Sequence, residues 1–165
     1  MISLVRVDNR LIHGQVVEAW LPQLKVARVA VADDEAAGSP LIRAAMALAV
    51  QSAIEVRIEP LGQLDFEALS RDSVKTLLLL REIAGVEQAR ARGLTLQHLN
   101  LGNVHFSSGR RQISSSVFLS PEEMASLRAL SAAGVRVEAR AVPAERPLEL
   151  AELTARFDKG QGSTG

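Results

Sequence analysis

Short β-rich runs alternate with helical segments from one end of the chain to the other. Ile2 to Val7 opens as a strand, and Gly14 to Trp20 reads as a short helix after the loop DNRLIH. Val26 to Ala32 is a second strand. Ser39 then fits an N-cap with Pro40 at the first helical position, which predicts a helix to about Gln51 whose small and apolar residues pack inward. Ile54 to Ile58 alternates as a third strand, and Leu61 to Ser70 carries Leu61, Leu64, Ala68 and Leu69 at helical spacing.

The run Val74 to Leu80 (VKTLLLL) is almost entirely apolar, as a strand covered on both faces must be, and is expected at the centre of the sheet. A helix over Ile83 to Arg92, closed by Gly93, leads to a strand over Thr95 to Leu101. Residues 102–112 form a Gly- and Ser-containing loop, and Ile113 to Leu119 returns as a short strand. Ser120, Pro121 and Glu123 spell a capping box, and the helix they open shows Met124, Leu127 and Leu130 as one stripe before Gly134. Val135 to Val142 is the last strand and Leu148 to Phe157 a terminal helix. The alternation predicts an α/β fold: a single domain with an open, mostly parallel sheet, helices on both faces and an antiparallel strand near one edge. The domain spans residues 1–158, with 159–165 as a flexible tail.

Composition narrows the function. The 165 residues hold 19 Lys plus Arg against 19 Asp plus Glu, so there is no net field to capture nucleic acid. Aromatic residues are 3% of the chain, too few for a base-stacking platform. With no cysteine, thiolate catalysis and cysteine-ligated metals are excluded. The apolar runs are far shorter than the roughly 20 residues that span a bilayer, so no direct membrane insertion is expected. The start MISLVRVDNR lacks a secretory pattern, and a cytoplasmic protein is expected.

In open α/β sheets ligands sit at the carboxyl ends of strands, which singles out the loops after Val7, after Ala32 and after Leu101. The first is the densest in chemistry. DNRLIHG places Asp8, Arg10 and His13 together, with Gly14 and Gln15 at a helix N-terminus where backbone N–H groups and the helix dipole favour an anion. Arg10 adds a planar fork of donors suited to phosphate oxygens, and Arg6 is expected to add a second from the strand. A histidine with an ordinary pKa of about 6.5 is substantially neutral in the cytoplasm, and a neutral imidazole can attack phosphorus. The bland alternative, a loop histidine bonded to a backbone carbonyl, is weakened by an arginine three residues away and a glycine directly after.

Other chemistries find little support. No GxGxxG follows the first strand, and neither GxxxxGK[ST] nor GxSxG occurs. The three histidines, at 13, 98 and 105, have no metal-ligand spacing, and His98 within TLQHLNL reads as a satisfied core histidine. Asp33 and Asp34 suggest an acidic magnesium pocket of the receiver type, but VKTLLLLRE offers no aspartyl nucleophile to complete it. In the loop 102–112, Phe106 and Ser107 are candidates to cover a site or touch a partner.

The segment Arg6 to Trp20, RVDNRLIHGQVVEAW, resembles the active loop of IIB subunits of the mannose and sorbose family of the bacterial phosphotransferase system. The resemblance continues through VADDE, LNLGNVHFSSGRRQISSSVFLSPEE and GVRVEARAVP, and so covers nearly the whole chain. It implies a phosphocarrier, a protein-phosphohistidine–sugar phosphotransferase component with no metal or other cofactor. His13 would take a phosphoryl group on Nδ1 from a phosphohistidine of a IIA partner and pass it to a sugar held by membrane IIC and IID subunits. The alternative is a regulatory IIB-like module whose phosphorylation state is sensed by another protein. Arg10 would balance charge, Gly14 and Gln15 would receive oxygens, and Asp8, Asp33, Asp34, Phe106 and Ser107 would lie on the partner-facing loops. Asn9 departs from the family, which commonly has a second acidic residue there, and the lost charge bears on partner choice. The chain opens directly on this segment, so no IIA domain is expected ahead of it.

Overall fold

The computed structural model describes residues 1–162. Its main sheet has seven strands in the order β3-β2-β4-β1-β5-β8-β9. They are β1 Ile2–Asp8, β2 Arg28–Ala32, β3 Glu55–Glu59, β4 Thr76–Leu80, β5 His98–Asn103, β8 Arg136–Ala139 and β9 Leu148–Glu149. All pair in parallel except β8 with β9, the edge antiparallel pair. A separate antiparallel ribbon joins β6 Arg111–Gln112 to β7 Phe118–Leu119, so of the strand expected over 113–119 only Phe118 and Leu119 form the second arm of a hairpin, and 113–117 make the connection between the arms. The middle strand is β1 rather than the leucine-rich β4, which lies beside it.

Two apolar clusters fill the two faces. One gathers Val5 and Val7 of β1 under Phe66 and Leu69 of α4 (Phe66–Arg71), Ile83 and Val86 of α5 (Ile83–Ala91), Met124 and Leu127 of α6 (Pro121–Ala132) and Leu153 and Phe157 of α7 (Leu150–Gly162). The other packs Leu4 and the odd-numbered leucines of β4 against Leu11, Ile12, Val16, Trp20 and Leu21. Leu11 and Ile12 come from the loop after β1, while Val16 and Trp20 ride on a π-helical turn, Val16–Trp20, that runs straight into α1, Leu21–Leu24. A π turn adds a residue per turn, so it re-aims the side chains that follow, and such turns concentrate at functional sites.

Several segments differ from the sequence reading. The acidic DDEAAG is a short helix, α2 (Asp34–Gly38), because the Asp33 side chain accepts from Ala36 N and caps it. Helix α3 (Pro40–Ala49) starts as expected with Ser39 accepting from Ile42 N. Only part of it packs inward as expected: Ile42 and Met46, both partly buried, rest on the cluster around Trp20, while no residue of the helix is fully buried and Leu41 and Leu48 are 80% and 87% exposed. The capping box of α6 is complete, with Ser120 Oγ accepting from Glu123 N at 3.1 Å and Glu123 Oε1 accepting from Ser120 N at 3.0 Å. Helix α7 continues to Gly162, so residues 159–162 of the expected tail are helical; 163–165 lie outside the described residues.

The topology fixes where a site can form. From β1 the chain crosses to β2 on one side of the sheet, whereas β5 lies on the other side of β1. The carboxyl ends of β1 and β5 therefore face a crevice, with Asp8 in register with Asn103 and Asn9 N donating to Asn103 O at 3.1 Å.

Candidate active site

The loop that leaves β1 is short and strongly held. Leu11 N donates to Asp8 O at 3.0 Å, closing a turn, and Leu11 itself adopts φ +58°, a left-handed conformation unusual for leucine. Its side chain and that of Ile12 are buried, so apolar packing retains this strained backbone. His13 O then accepts from Val17 N at 3.1 Å, the first bond of the helix that follows. The histidine thus sits where a loop becomes a helix, half-buried, with the helix N–H groups of Gly14 and Gln15 beside it.

Asp8 organises the site. Fully buried at the end of β1, it accepts from Arg10 N (3.0 Å) and Arg10 Nε (3.1 Å) on Oδ1. Its Oδ2 takes Arg6 NH2 (2.9 Å), Arg10 NH2 (3.2 Å) and His13 Nε2 (2.9 Å). Burial alone would raise the Asp8 carboxyl pKa. The bonds from His13 and Arg10 and the charge of Arg6 more than reverse that, holding it well below the usual carboxylate range. An ionised Asp8 can only accept, so His13 Nε2 carries the proton and Nδ1 presents its lone pair. Arg10 NH2 also donates to Gln15 Oε1 at 3.0 Å, tying the arginine to the first turn of the helix.

Arg6 does not lie where a phosphate-binding arginine must. It is fully buried: NH1 donates to Asn100 Oδ1 (2.7 Å) and Arg140 O (3.4 Å), NH2 to Asp8, and Cζ lies 5.0 Å from the centre of the Trp20 ring. Burial lowers its pKa, opposed chiefly by Asp8. Its partners stand on β5 and β8, far away in sequence, which is why the strand pattern of β1 alone gave no sign of them.

Asp33 and Asp34 are also engaged in structure. Arg81 holds Asp33 bidentately (3.0 and 2.8 Å) and donates to Asn9 O at 2.9 Å, linking the loops after β1 and β2. Burial would raise the Asp33 pKa, but Arg81 leaves it lowered. Asp34 Oδ1 accepts from Leu61 N at 2.9 Å. Phe106 is 64% exposed and meets Phe118 edge-on at 5.8 Å, while Ser107 O accepts from Arg110 N. His98 is half-buried, its Nε2 3.0 Å from Glu138 Oε1.

A cleft of about 580 Å³ opens beside Arg10 and Gln15, lined also by Asn103, Ser114, Ser115, Ser116, Arg140 and Arg146. None of those six was singled out from the sequence. Their signal was the serine run, which Val104 brings in by bridging Val117 and donating to Ser116 O, and the arginines at 140 and 146, of which the β5–β8 pairing brings Arg140 next to the end of β5. Arg140 is held by Glu138 Oε1 (3.3 Å) and Pro143 O (3.0 Å), and its Cζ lies 5.3 Å from the Trp20 ring centre. The cleft is rich in donors, as an anion site must be.

Residues 2–163 match the family described as PTS system sorbose subfamily IIB component. The chain belongs to that family. The IIB chain is 32% identical over 153 residues to the N-acetylgalactosamine-specific phosphotransferase enzyme IIB component 2 of Escherichia coli, covering 92% of this chain and 98% of that one. It is 28% identical to the sorbose-specific EIIB component of Lacticaseibacillus casei, covering 96% and 99%. It spans half the length of the curated mannose-specific EIIAB components it matches. Among solved structures, manxB from Thermoanaerobacter tengcongensis superposes with a TM-score of 0.86 at 28% identity, over 95% of this chain and 96% of that one. The open, mostly parallel sheet read from the sequence is therefore that of sorbose-family IIB components. No described helix is long and apolar enough to cross a membrane.

Proposed function

We propose that this IIB component carries a phosphoryl group on His13 Nδ1, taking it from a phosphohistidine of a IIA partner and giving it to a sugar held by membrane IIC and IID subunits. The observation that carries this reading is the bond from His13 Nε2 to the buried Asp8 carboxylate, which leaves Nδ1 as the nucleophilic nitrogen at a helix N-terminus.

The Nδ1 lone pair attacks phosphorus as the donor histidine's N–P bond breaks, and the donor ring departs with the electron pair of that bond. His13 then holds the phosphoryl group on Nδ1 and its original proton on Nε2, so the ring is cationic. Asp8, 2.9 Å away, stabilises that charge as a buried carboxylate stabilises an imidazolium elsewhere. In the second transfer a sugar hydroxyl attacks phosphorus and gives up its proton to water as the Nδ1–P bond breaks, and His13, taking back the electron pair on Nδ1 and keeping its proton on Nε2, leaves as the neutral imidazole. Arg10 faces the charge spread over the phosphoryl oxygens, and the N–H groups of Gly14 and Gln15 receive them; the chemistry needs little beyond positioning and charge balance. Asp33, Asp34, Phe106 and Ser107 belong in this reading to the surface that meets partners.

Intact-mass measurement after incubation with a phosphorylated IIA protein tests the proposal. One phosphoryl adduct is expected, lost in acid and retained in base as a phosphoramidate is, and absent from His13→Ala. An adduct of equal yield on His13→Ala refutes it.

A further inference from the structure

Resting on the carrier reading of His13, the geometry points to Arg6 as the positioning residue of the site and to Gly102 as the residue that makes room for it. Arg6 touches neither His13 nor the open cleft. It acts through Asp8, whose Oδ2 it shares with His13 Nε2.

Four contacts leave the Arg6 guanidinium no second place to go. Asn100 Oδ1 from β5 and Arg140 O just after β8 fix NH1, the Trp20 ring lies beside it, and Gly102 of β5 lies against it. A Cβ built on Gly102 would overlap Arg6 Cζ, NH2 and Nε, and no shift of a flexible tip relieves that, since the guanidinium is itself the clamped group. Gly102 has no left-handed φ to account for its being glycine. The close approach of Arg6 accounts for it. Asn100 is fixed in turn, its Nδ2 donating to Glu138 Oε1 at 3.0 Å and to Arg140 O at 3.2 Å. The order of dependence is therefore Glu138 to Asn100 to Arg6 to Asp8 to the His13 ring.

The consequence for chemistry is a fixed tautomer. With Arg6 in place, Asp8 stays ionised in a buried position and its Oδ2 stays aimed at Nε2. Displacing the guanidinium leaves Asp8 buried with less compensation, so the carboxyl rotates or takes a proton, and the ring loses the partner that assigns Nδ1 as the nucleophile. A misplacement of about 1 Å at a reacting group can slow a reaction by about 10²-fold.

The test uses the full chain labelled with ¹⁵N and the Gly102→Ala and Arg6→Lys variants. The ring nitrogens of His13 are read by long-range ¹H–¹⁵N correlation, and transfer from phosphorylated IIA by intact mass. Wild type is expected to show one tautomer with the proton on Nε2. Both variants are expected to move toward a mixture of tautomers and to accept phosphoryl groups about 10²-fold more slowly. Gly85→Ala, which adds a Cβ in α5 3.2 Å from Leu61 Cδ1, is the control: whichever way its stability moves, the ring shifts and the rate stay at their wild-type values. Wild-type shifts and rate in a folded Gly102→Ala overturn the inference. Should that variant not fold, wild-type shifts and rate in Arg6→Lys overturn it. A wild type that accepts no phosphoryl group refutes the carrier reading instead, and the ring shifts still decide the role of Arg6.

Discussion

His13 Nε2 and Asp8 Oδ2 lie 2.9 Å apart, and that contact divides the imidazole into a bound nitrogen and a reactive one. Asp8 is itself saturated by Arg6 and Arg10, so its charge is compensated on the protein side before any phosphoryl group arrives. On the proposed carrier reading, the pairing accounts for a carboxylate beside the residue that would accept the phosphoryl group, where it would otherwise repel it.

Arg10 is predicted to matter more to rate than to stability. Its side chain is partly exposed and forks onto Asp8 and Gln15. Arg10→Ala should slow phosphoryl acceptance by roughly 2–4 kcal/mol of barrier, as loss of a preorganised donor does, while costing about 1 kcal/mol or less of folding stability. Stopped transfer assays and thermal melts of the same preparations check both; a rate equal to wild type in Arg10→Ala removes its role.

The buried carboxylates predict the acid limb of stability. Asp8 and Glu138 both titrate below their ordinary values: burial opposes this in each, and His13 and Arg10 for Asp8, or His98 and Asn100 for Glu138, outweigh it. Groups with depressed native pKa values contribute stability that is present above the unfolded-state values near pH 4 and lost as pH falls through the native ones. Urea unfolding should therefore be nearly flat in these contributions from pH 7 to 5 and weaken steadily below about pH 4. Asp8→Asn should be destabilised by about 3–5 kcal/mol at pH 7, since it strands Arg6, and its deficit against wild type should narrow as pH falls. A deficit independent of pH contradicts the assignment.

Phe106 is predicted to serve binding rather than folding. It is exposed and rests only its edge on Phe118, on a loop tied to α6 by the bidentate Arg110–Glu123 pair (2.9 and 3.0 Å). Phe106→Ala should change stability by about 0.5 kcal/mol and weaken association with IIA, a transient partner for which micromolar affinity or weaker is expected. NMR titration with IIA checks it: shifts clustered on Val135 and Arg136, at the opposite end of β8, place the partner elsewhere.

The sequence pattern carried the fold well where local chemistry decides it. Ser120, Pro121 and Glu123 form the cap their spacing predicts, and the strand read over Ile2 to Val7 is present, one residue longer, with Asp8 as its end. It failed where tertiary contacts decide. The two-residue β9 has no period to read, and α2 was hidden because Asp33 and Asp34 look like site acids while acting as a cap and a loop tie. Arg6 is the sharpest case. Beside DNRLIHG it reads as a phosphate ligand, yet Asn100, Gly102 and Arg140, contributed by strands that follow much later, enclose it. Arg140 reaches the cleft because β8 pairs with β5, and the serines at 114–116 because Val104, just after β5, bridges Val117 and donates to Ser116 O, neighbour relations that no local motif encodes.

The ring nitrogens of phosphorylated His13, read by ¹H–¹⁵N correlation on the full chain after transfer from IIA, bear most directly on the site. Phosphorylation at Nδ1 with a protonated Nε2 still bonded to Asp8 is the predicted spectrum. A phosphoryl group on Nε2, or on any residue other than His13, would contradict it.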